Sequence, residues 1–452
     1  MCSVFRRSSG RFKLHECIAE GDIHELAEVA RNSSHTAEGL NEYDDEGQTA
    51  LHIAADQGLS EAVAILSTSG ADINVPREED SRTPLHIAVN EGHCDVVETL
   101  LDSGAKVNSP DVDGWLPLHV AAYYGATEIT NMLLSHATVV NAQTSKGQTA
   151  LHIAVEMAEN RWINRDYDYQ ITIKLLLGAG CDVNARDGYG QAAIHVAAKN
   201  LDLPTMALLL DHGAAVDAYM EPDGRMPLHI AAARCGHQAH DACELLLARG
   251  ADINAACKGG RTPLLAAIES NSPSMIKWLL GKGADPRRVC DSGWTAVHLA
   301  VRMGLESCVL TLLQHDESLI HQEDSQGFTP LATAAEGGDE EIARLLLDRG
   351  ADVNQQGSPQ RRITALMVAT YHKQEGMVRM LIEHGADVNL QDANGHTPLH
   401  IASLLNAGHL IPPLLHARAD TSLRDNAGRT AEQLARDKSS DEVLKQFSVL
   451  AL

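Results

Sequence analysis

Gly47-Gln48-Thr49-Ala50-Leu51-His52-Ile53-Ala54 returns unchanged at residues 147–154, one hundred positions later. If the duplicate is one instance of a repeat, degenerate copies should lie at even spacing around it. With the leucine as marker, equivalents fall at Leu51, Leu85, Leu118, Leu151, Ile194, Leu228, Leu264, Val297, Leu331, Leu366 and Leu399, in steps of 34, 33, 33, 43, 34, 36, 33, 34, 35 and 33 residues. The hundred residues are three periods. Weaker copies stand at Lys13-Leu14-His15 and Thr430-Ala431.

Each unit reads as a turn and two helices. In Thr83-Pro84-Leu85-His86 the threonine is placed to cap a helix, and proline suits the first helical position, where its missing N–H would have had no partner. Small residues such as Ala54-Ala55 and Ala121-Ala122 allow a second, antiparallel helix to approach closely, and Leu100-Leu101, Leu246-Leu247 and Leu346-Leu347 mark that second helix. It ends at glycines such as Gly70, Gly104 and Gly250, where a left-handed cap costs little. An Asp-Val-Asn or Asp-Ile-Asn segment then leads to a turn whose glycine reverses the chain towards the next threonine.

This pattern resembles the ankyrin repeat, a 33-residue hairpin-helix-helix unit carrying T-P-L-H-x-A and G-A-D-V-N. The resemblance covers residues 11 to 447, nearly the whole chain. It implies an all-α class with short β-hairpin loops: an α-solenoid in which helix pairs stack into a curved, right-handed array and each neighbour completes the core. At helix spacings of about 8–10 Å, some thirteen units would form an arc on the order of 100 Å. The expected organisation is a flexible tail over 1–10, a degenerate N-terminal capping repeat over 11–43, eleven repeats over 44–424, and a C-terminal capping repeat with a short tail over 425–452.

Composition narrows the partners. The chain has 452 residues, 44% hydrophobic but only 4% aromatic, so its interior is built from small and aliphatic side chains. With 61 acidic against 36 basic residues the formal charge is −25, which disfavours nucleic acid and anionic membranes. A protein partner with a basic or mixed surface fits better. No stretch of about 18 apolar residues is present to insert in a membrane. Nine cysteines are scattered without a C-x-x-C pair, so a reducing compartment is expected, the cytoplasm with the nucleus as the alternative. The oligomeric expectation is a monomer.

Catalysis finds no support in the pattern. His52, His86, His119, His152, His195, His229, His298 and His400 share one place in the repeat, and residues one repeat apart cannot converge on one ion. The resemblance implies that these imidazoles bond turn backbone. No phosphate-binding loop, zinc-protease motif, nucleophile elbow or dinucleotide fingerprint occurs. Cys235 and Cys243 are read as lone helical cysteines rather than a redox pair. No cofactor and no metal are expected.

Residues that the repeat leaves free point to binding. In the family resembled, the tip before the threonine and the exposed end of the first helix line a concave face whose partners are usually proteins. Along the tips stand Trp115, Arg225, Arg261, Trp294 and Phe328. Trp115 shares its repeat with Tyr123 and Tyr124, and Trp294 and Phe328 occupy neighbouring tips as a second patch. The single long step places ten extra residues within 156–171, where Trp162, Tyr167 and Tyr169 could form a docking insertion or a plain surface loop. The resemblance also implies asparaginyl hydroxylation at Asn184, Asn254, Asn354 and Asn389. The function expected is a non-enzymatic protein-protein interaction scaffold; the alternative is a substrate adaptor or regulatory subunit of a complex such as a ubiquitin ligase or phosphatase.

Overall fold

The computed structural model describes residues 13–33, 37–158 and 169–450. The chain forms two compact units, Met1–Pro227 and Leu228–Leu452. In the first unit the first helices of successive repeats, Ala50–Asp56, Pro84–Glu91, Pro117–Tyr124, Ala150–Met157 and Ala193–Asn200, pack each against the next. The second helices, Ser60–Thr68, Cys94–Asp102, Thr127–Leu134, Tyr169–Gly178 and Leu203–Asp211, do the same. The second unit repeats the scheme, with first helices Pro263–Glu269, Ala296–Arg302, Pro330–Gly337, Ala365–Tyr371, Pro398–Leu404 and Ala431–Asp437 stacked in order.

Side-chain size explains the packing. Ala54, Ala55, Ala88, Ala121 and Ala122 are wholly buried, so the two helices of a repeat and its neighbours meet without a bulky spacer. Leu66, Leu100, Leu133, Leu176 and Leu209, one from each second helix of the first unit, are equally buried. Each contributes about 2 kcal/mol by leaving water. Two departures from the period are absorbed locally. The three residues added near Arg234 lengthen a second helix, His237–Ala248, to 12 residues. Pro412 and Pro413 sit in the first turn of a helix cut to six, Ile411–His416, with a 3-10 turn, Gly408–Leu410, ahead of it.

The turns between repeats differ from the hairpins expected. Among the described residues every regular element is helical, with no strand. Each turn, or finger, is too short for a ladder: Asp111 N–H donates to Trp115 O at 2.9 Å and Gly114 N–H to Asp111 O at 3.0 Å. The Asp111 carboxylate does the rest, accepting from the N–H groups of Asp113 (3.0 Å) and Trp115 (2.8 Å). Neighbouring fingers are tied by backbone, as in Val112 N–H to Asp80 O (3.0 Å), Ser145 N–H to Asp113 O (2.8 Å) and Gly188 N–H to Lys146 O (2.8 Å).

That tie explains the glycine of the duplicated octapeptide. Gly147 has φ +73°, and a Cβ placed on it would stand 2.5 Å from the Gly188 nitrogen. Gly147→Ala is therefore expected to cost about 1–3 kcal/mol from backbone strain, and more where the finger must move. The urea midpoint measures it against Gly70→Ala, whose added methyl meets nothing within 4 Å. Equal shifts for the two variants would show that finger contact contributes nothing.

Candidate protein-binding site

The repeated histidines build the platform. Nε2 of His52, His86, His119, His152, His195, His229, His298 and His400 lies 2.9 to 3.2 Å from a carbonyl oxygen of the following finger. A carbonyl can only accept, so Nε2 carries the proton. In six of these rings the bare Nδ1 accepts the backbone N–H at the helix N-cap, as from Thr49 (3.1 Å) and Thr83 (3.2 Å). The threonine is thus only part of the cap. At Thr49 and Thr83 its hydroxyl is 2.9 Å from Nδ1, and Leu116 and Ala192 occupy the same place with the histidine bond intact. Burial lowers the His52 and His86 pKa to about 4 and lowers those of His119, His152, His195, His298 and His400.

One of those carbonyls belongs to Trp115. His86 Nε2–H donates to it at 3.0 Å, which fixes the finger carrying the indole. Trp115 meets Tyr123 edge-on with centroids 5.8 Å apart, and Tyr123 meets Tyr124 at 5.0 Å and 83°. The sequence-expected trio is one cluster. Tyr124 also donates through its hydroxyl to Asn90 Oδ1 at 3.2 Å, so that ring is anchored to the preceding repeat. Together with Val120, Arg82, Asp111, Asp113 and Lys146 the three rings line a groove of about 420 Å³. Its charges are mixed. Arg82 lies 3.4 Å from Asp111 and 3.5 Å from Asp80, while Asp113 and Lys146 are exposed at the rim.

Other expected residues fall differently. Tyr169 opens the second helix of its repeat, and its hydroxyl donates to the Tyr123 carbonyl at 3.0 Å. The end of the ten-residue insertion therefore abuts the ring cluster instead of standing apart from it. Trp162 and Tyr167 lie outside the described residues. Arg225 is paired with Asp223 at 2.8 Å and Arg261 with Glu269 at 2.9 Å, each by its own repeat. Trp294 is covered by Arg302, whose guanidinium carbon sits 4.6 Å from the ring centroid while its far side holds Glu336 at 2.9 Å. Phe328 instead joins Ile363, Tyr371, Leu404 and Leu405 around a second groove, of about 520 Å³. Those four partners were missing from the sequence-based set, although Phe328, Ile363 and His396 are consecutive tip residues and could have signalled it.

The turn asparagines act as staples between repeats. Asn184, Asn254, Asn354 and Asn389 each accept through Oδ1 from a backbone N–H of the next repeat at 2.7 or 2.8 Å, and donate through Nδ2 to a carbonyl there at 3.1 to 3.5 Å. Cys243 is buried and its thiol is pushed up to about 12 by desolvation; Cys235 is exposed, and no disulfide joins the described cysteines. Among the described residues no group of three His, Cys, Asp or Glu side chains could hold a metal ion, and no helix is long and apolar enough to cross a membrane.

Stacked helix pairs tied by histidine and finger backbone define a repeat protein of the ankyrin class. The family model for ankyrin repeats matches residues 14–111, 107–165, 162–257, 223–290, 264–357 and 356–425, and the chain belongs to that family. Such repeats are protein-interaction modules, generally without catalytic activity. Among curated proteins it is similar to the B-cell lymphoma 3 protein homolog of Mus musculus, 30% identical over 257 residues that cover 54% of this chain and 57% of that protein. The B-cell lymphoma 3 protein of Homo sapiens is 32% identical over 256 residues, covering 54% and 56%. The chain thus spans about half the length of the curated relatives it matches. A crystal structure of the ankyrin repeat domain of Bcl-3, described as a member of the IkappaB protein family, shares 30% identity, covering 50% of this chain and 100% of that one at a TM-score of 0.44.

Proposed function

We propose that this chain is a non-enzymatic scaffold that recognises a protein of mixed surface charge through the finger and first-helix face, with Trp115, Tyr123 and Tyr124 as its anchor. The observation that carries the reading is the half-exposed ring cluster. Tyr123 is 40% exposed beside a finger held by the His86 bond to the Trp115 carbonyl. Folding alone gives no reason to leave three rings at a groove mouth, since aromatic area gains most when buried. The exposed Asp113 and Lys146 at the rim supply complementary contacts of both signs. Cross-linking mass spectrometry of the wild-type chain and of a Trp115/Tyr123/Tyr124 triple alanine variant tests the assignment. Partner recovery that is equal in the two would refute it.

In this reading the protein works as a monomer in the cytoplasm, where its cysteines stay reduced. The asparagines of the turns are open to hydroxylation in the same setting, but both ends of each amide are engaged, so modification requires the turn to open. Peptide mass mapping of chain from oxygenated cells, finding no added oxygen at Asn184, Asn254, Asn354 or Asn389, would remove that part.

A further inference from the structure

The groove in the second unit has a different chemistry from the first. Phe328 and Ile363 stand on adjacent fingers, while Tyr371, Leu404 and Leu405 come from the ends of helices Ala365–Tyr371 and Pro398–Leu404. Tyr371 is 62% exposed, a large ring left in water at the edge of an apolar floor. Two carboxylates line the wall, and both are already satisfied. Glu336 is held by Arg302 at 2.9 Å. Asp392 accepts the backbone N–H of Asn394 (2.8 Å) and of His396 (2.7 Å), and its second oxygen lies 3.5 Å from His396 Nδ1.

The cations are the exception. Arg361 reaches only the Gln326 amide oxygen, at 3.5 Å, and its neighbour Arg362 only that of Gln356, at 3.3 Å. Neither has a carboxylate partner among the described residues. Both side chains are exposed, so their donors remain open to an incoming acid. They sit on a finger lengthened by two residues, where Arg361 and Arg362 both donate their backbone N–H to Ser358 O, at 2.9 and 2.8 Å, and Gly357 N–H bonds Ile363 O at 3.0 Å. The extension is a closed, bonded loop, and it places a guanidinium on the rim of an apolar groove.

We propose that this groove binds an acidic, apolar segment of a partner protein. A leucine- or phenylalanine-like side chain fills the space between Phe328, Tyr371 and Leu404, and a flanking carboxylate takes the forked donors of Arg361, with Arg362 beside it. Charge-assisted, bidentate pairs of this kind are the stronger hydrogen bonds available to a protein surface. The overall charge of −25 does not forbid it. Fields from distant carboxylates fade over about 8 Å at physiological salt, so an incoming acid senses mainly the groove rim. The proposal is independent of the first groove, whose rim carries both signs and whose anchor is Trp115.

The experiment is selection of a random twelve-residue peptide library on the immobilised full chain, run in parallel on an Arg361→Glu/Tyr371→Ala double variant. Both substituted side chains are exposed, so circular dichroism of the variant should match wild type. Expected are peptides enriched only by the wild type, carrying Asp or Glu next to Leu, Phe or Trp. In fluorescence anisotropy those peptides should bind R361E about tenfold more weakly, as befits loss of a charged hydrogen bond, and bind W115A as they bind wild type. The last arm separates this groove from the first. Wild-type-specific peptides that are basic or lack acids would overturn the proposal, as would identical peptides from both selections. Concentration-dependent self-association abolished by the double variant would overturn it too, by making a second copy the occupant.

Discussion

Acidification from pH 7 to pH 4 is expected to destabilise the first unit by about 6 kcal/mol. His52 and His86 are wholly buried, and desolvation lowers each from 6.5 to about 4. At 1.36 kcal/mol per unit, each is worth about 3 kcal/mol, an order-of-magnitude figure. Between pH 6.5 and 4 the unfolded chain binds protons that the folded chain refuses. Stability therefore rises with pH across that window, is complete above 6.5, and is lost as pH falls towards 4. The geometry supplies the reason: a proton added to Nδ1 would face the N-cap N–H that this nitrogen now accepts.

Burial also lowers His119, His152 and His195 in the same unit, which reinforces the direction. Carboxylates act later. Asp80 and Asp425 have pKa values below the usual 3.8, so the stability they contribute is lost only beneath this window. Falling net negative charge works against the trend by relieving self-repulsion, but the exposed groups responsible are screened. Urea titrations at pH 7, 5.5 and 4.5 measure the loss. The chain supplies its own control, because Gln433 occupies the histidine position of the last repeat and its Oε1 accepts the Thr430 N–H at 2.9 Å. An H52Q/H86Q variant should keep both caps, lose about 1–3 kcal/mol at pH 7 from the unmet finger carbonyls, and show a flatter pH dependence. An unflattened slope would mean that other groups carry the acid sensitivity.

The same histidine shows which features the sequence makes legible. Degenerate forms of Thr83-Pro84-Leu85-His86 recur at steps of 33 to 43 residues, so one repeat's geometry is written in eleven variants and the reading of stacked helix pairs needs no single residue to be right. The division of labour within that motif is not legible. Only the geometry shows the imidazole receiving the backbone N–H of the threonine itself. Binding residues obey the opposite rule, because they are the positions the repeat does not constrain. Trp115, Tyr123 and Tyr124 could be found because they lie close in sequence and one period sets them on one face. Tyr371 and Leu404 could not, since each is unremarkable in its own repeat and only the stacking of three repeats brings them to Phe328. Trp294 was expected to be available, yet an arginine eight residues on lies over its ring, and no period encodes that.

Replacing Trp115, Tyr123 and Tyr124 together by alanine is expected to weaken partner binding by about 100- to 1,000-fold. A fully buried ring removes about 150–250 Å² from water, worth about 4–6 kcal/mol at 25 cal/mol/Å². These rings start partly covered. Trp115 is half-buried and Tyr123 is 40% exposed, so binding can gain only the remainder, about 2 kcal/mol for each. Tyr124 contributes less to binding and more to the fold through its bond to Asn90. The sum, about 3–4 kcal/mol, corresponds to the stated range. Rim charges cannot match it, since an exposed ion pair contributes about 0–1 kcal/mol. Asp113→Lys should therefore change association rate and salt dependence far more than the dissociation rate. Because Tyr123 and Trp115 pack on each other, the alanine effects should be non-additive: W115A alone should already loosen Tyr123 and recover more than a third of the triple loss. Surface plasmon resonance with the cross-linked partner decides the matter, with Tyr124→Phe separating the ring from its hydroxyl. A triple variant that binds within threefold of wild type, while keeping its helical circular dichroism, would place the anchor elsewhere on the chain.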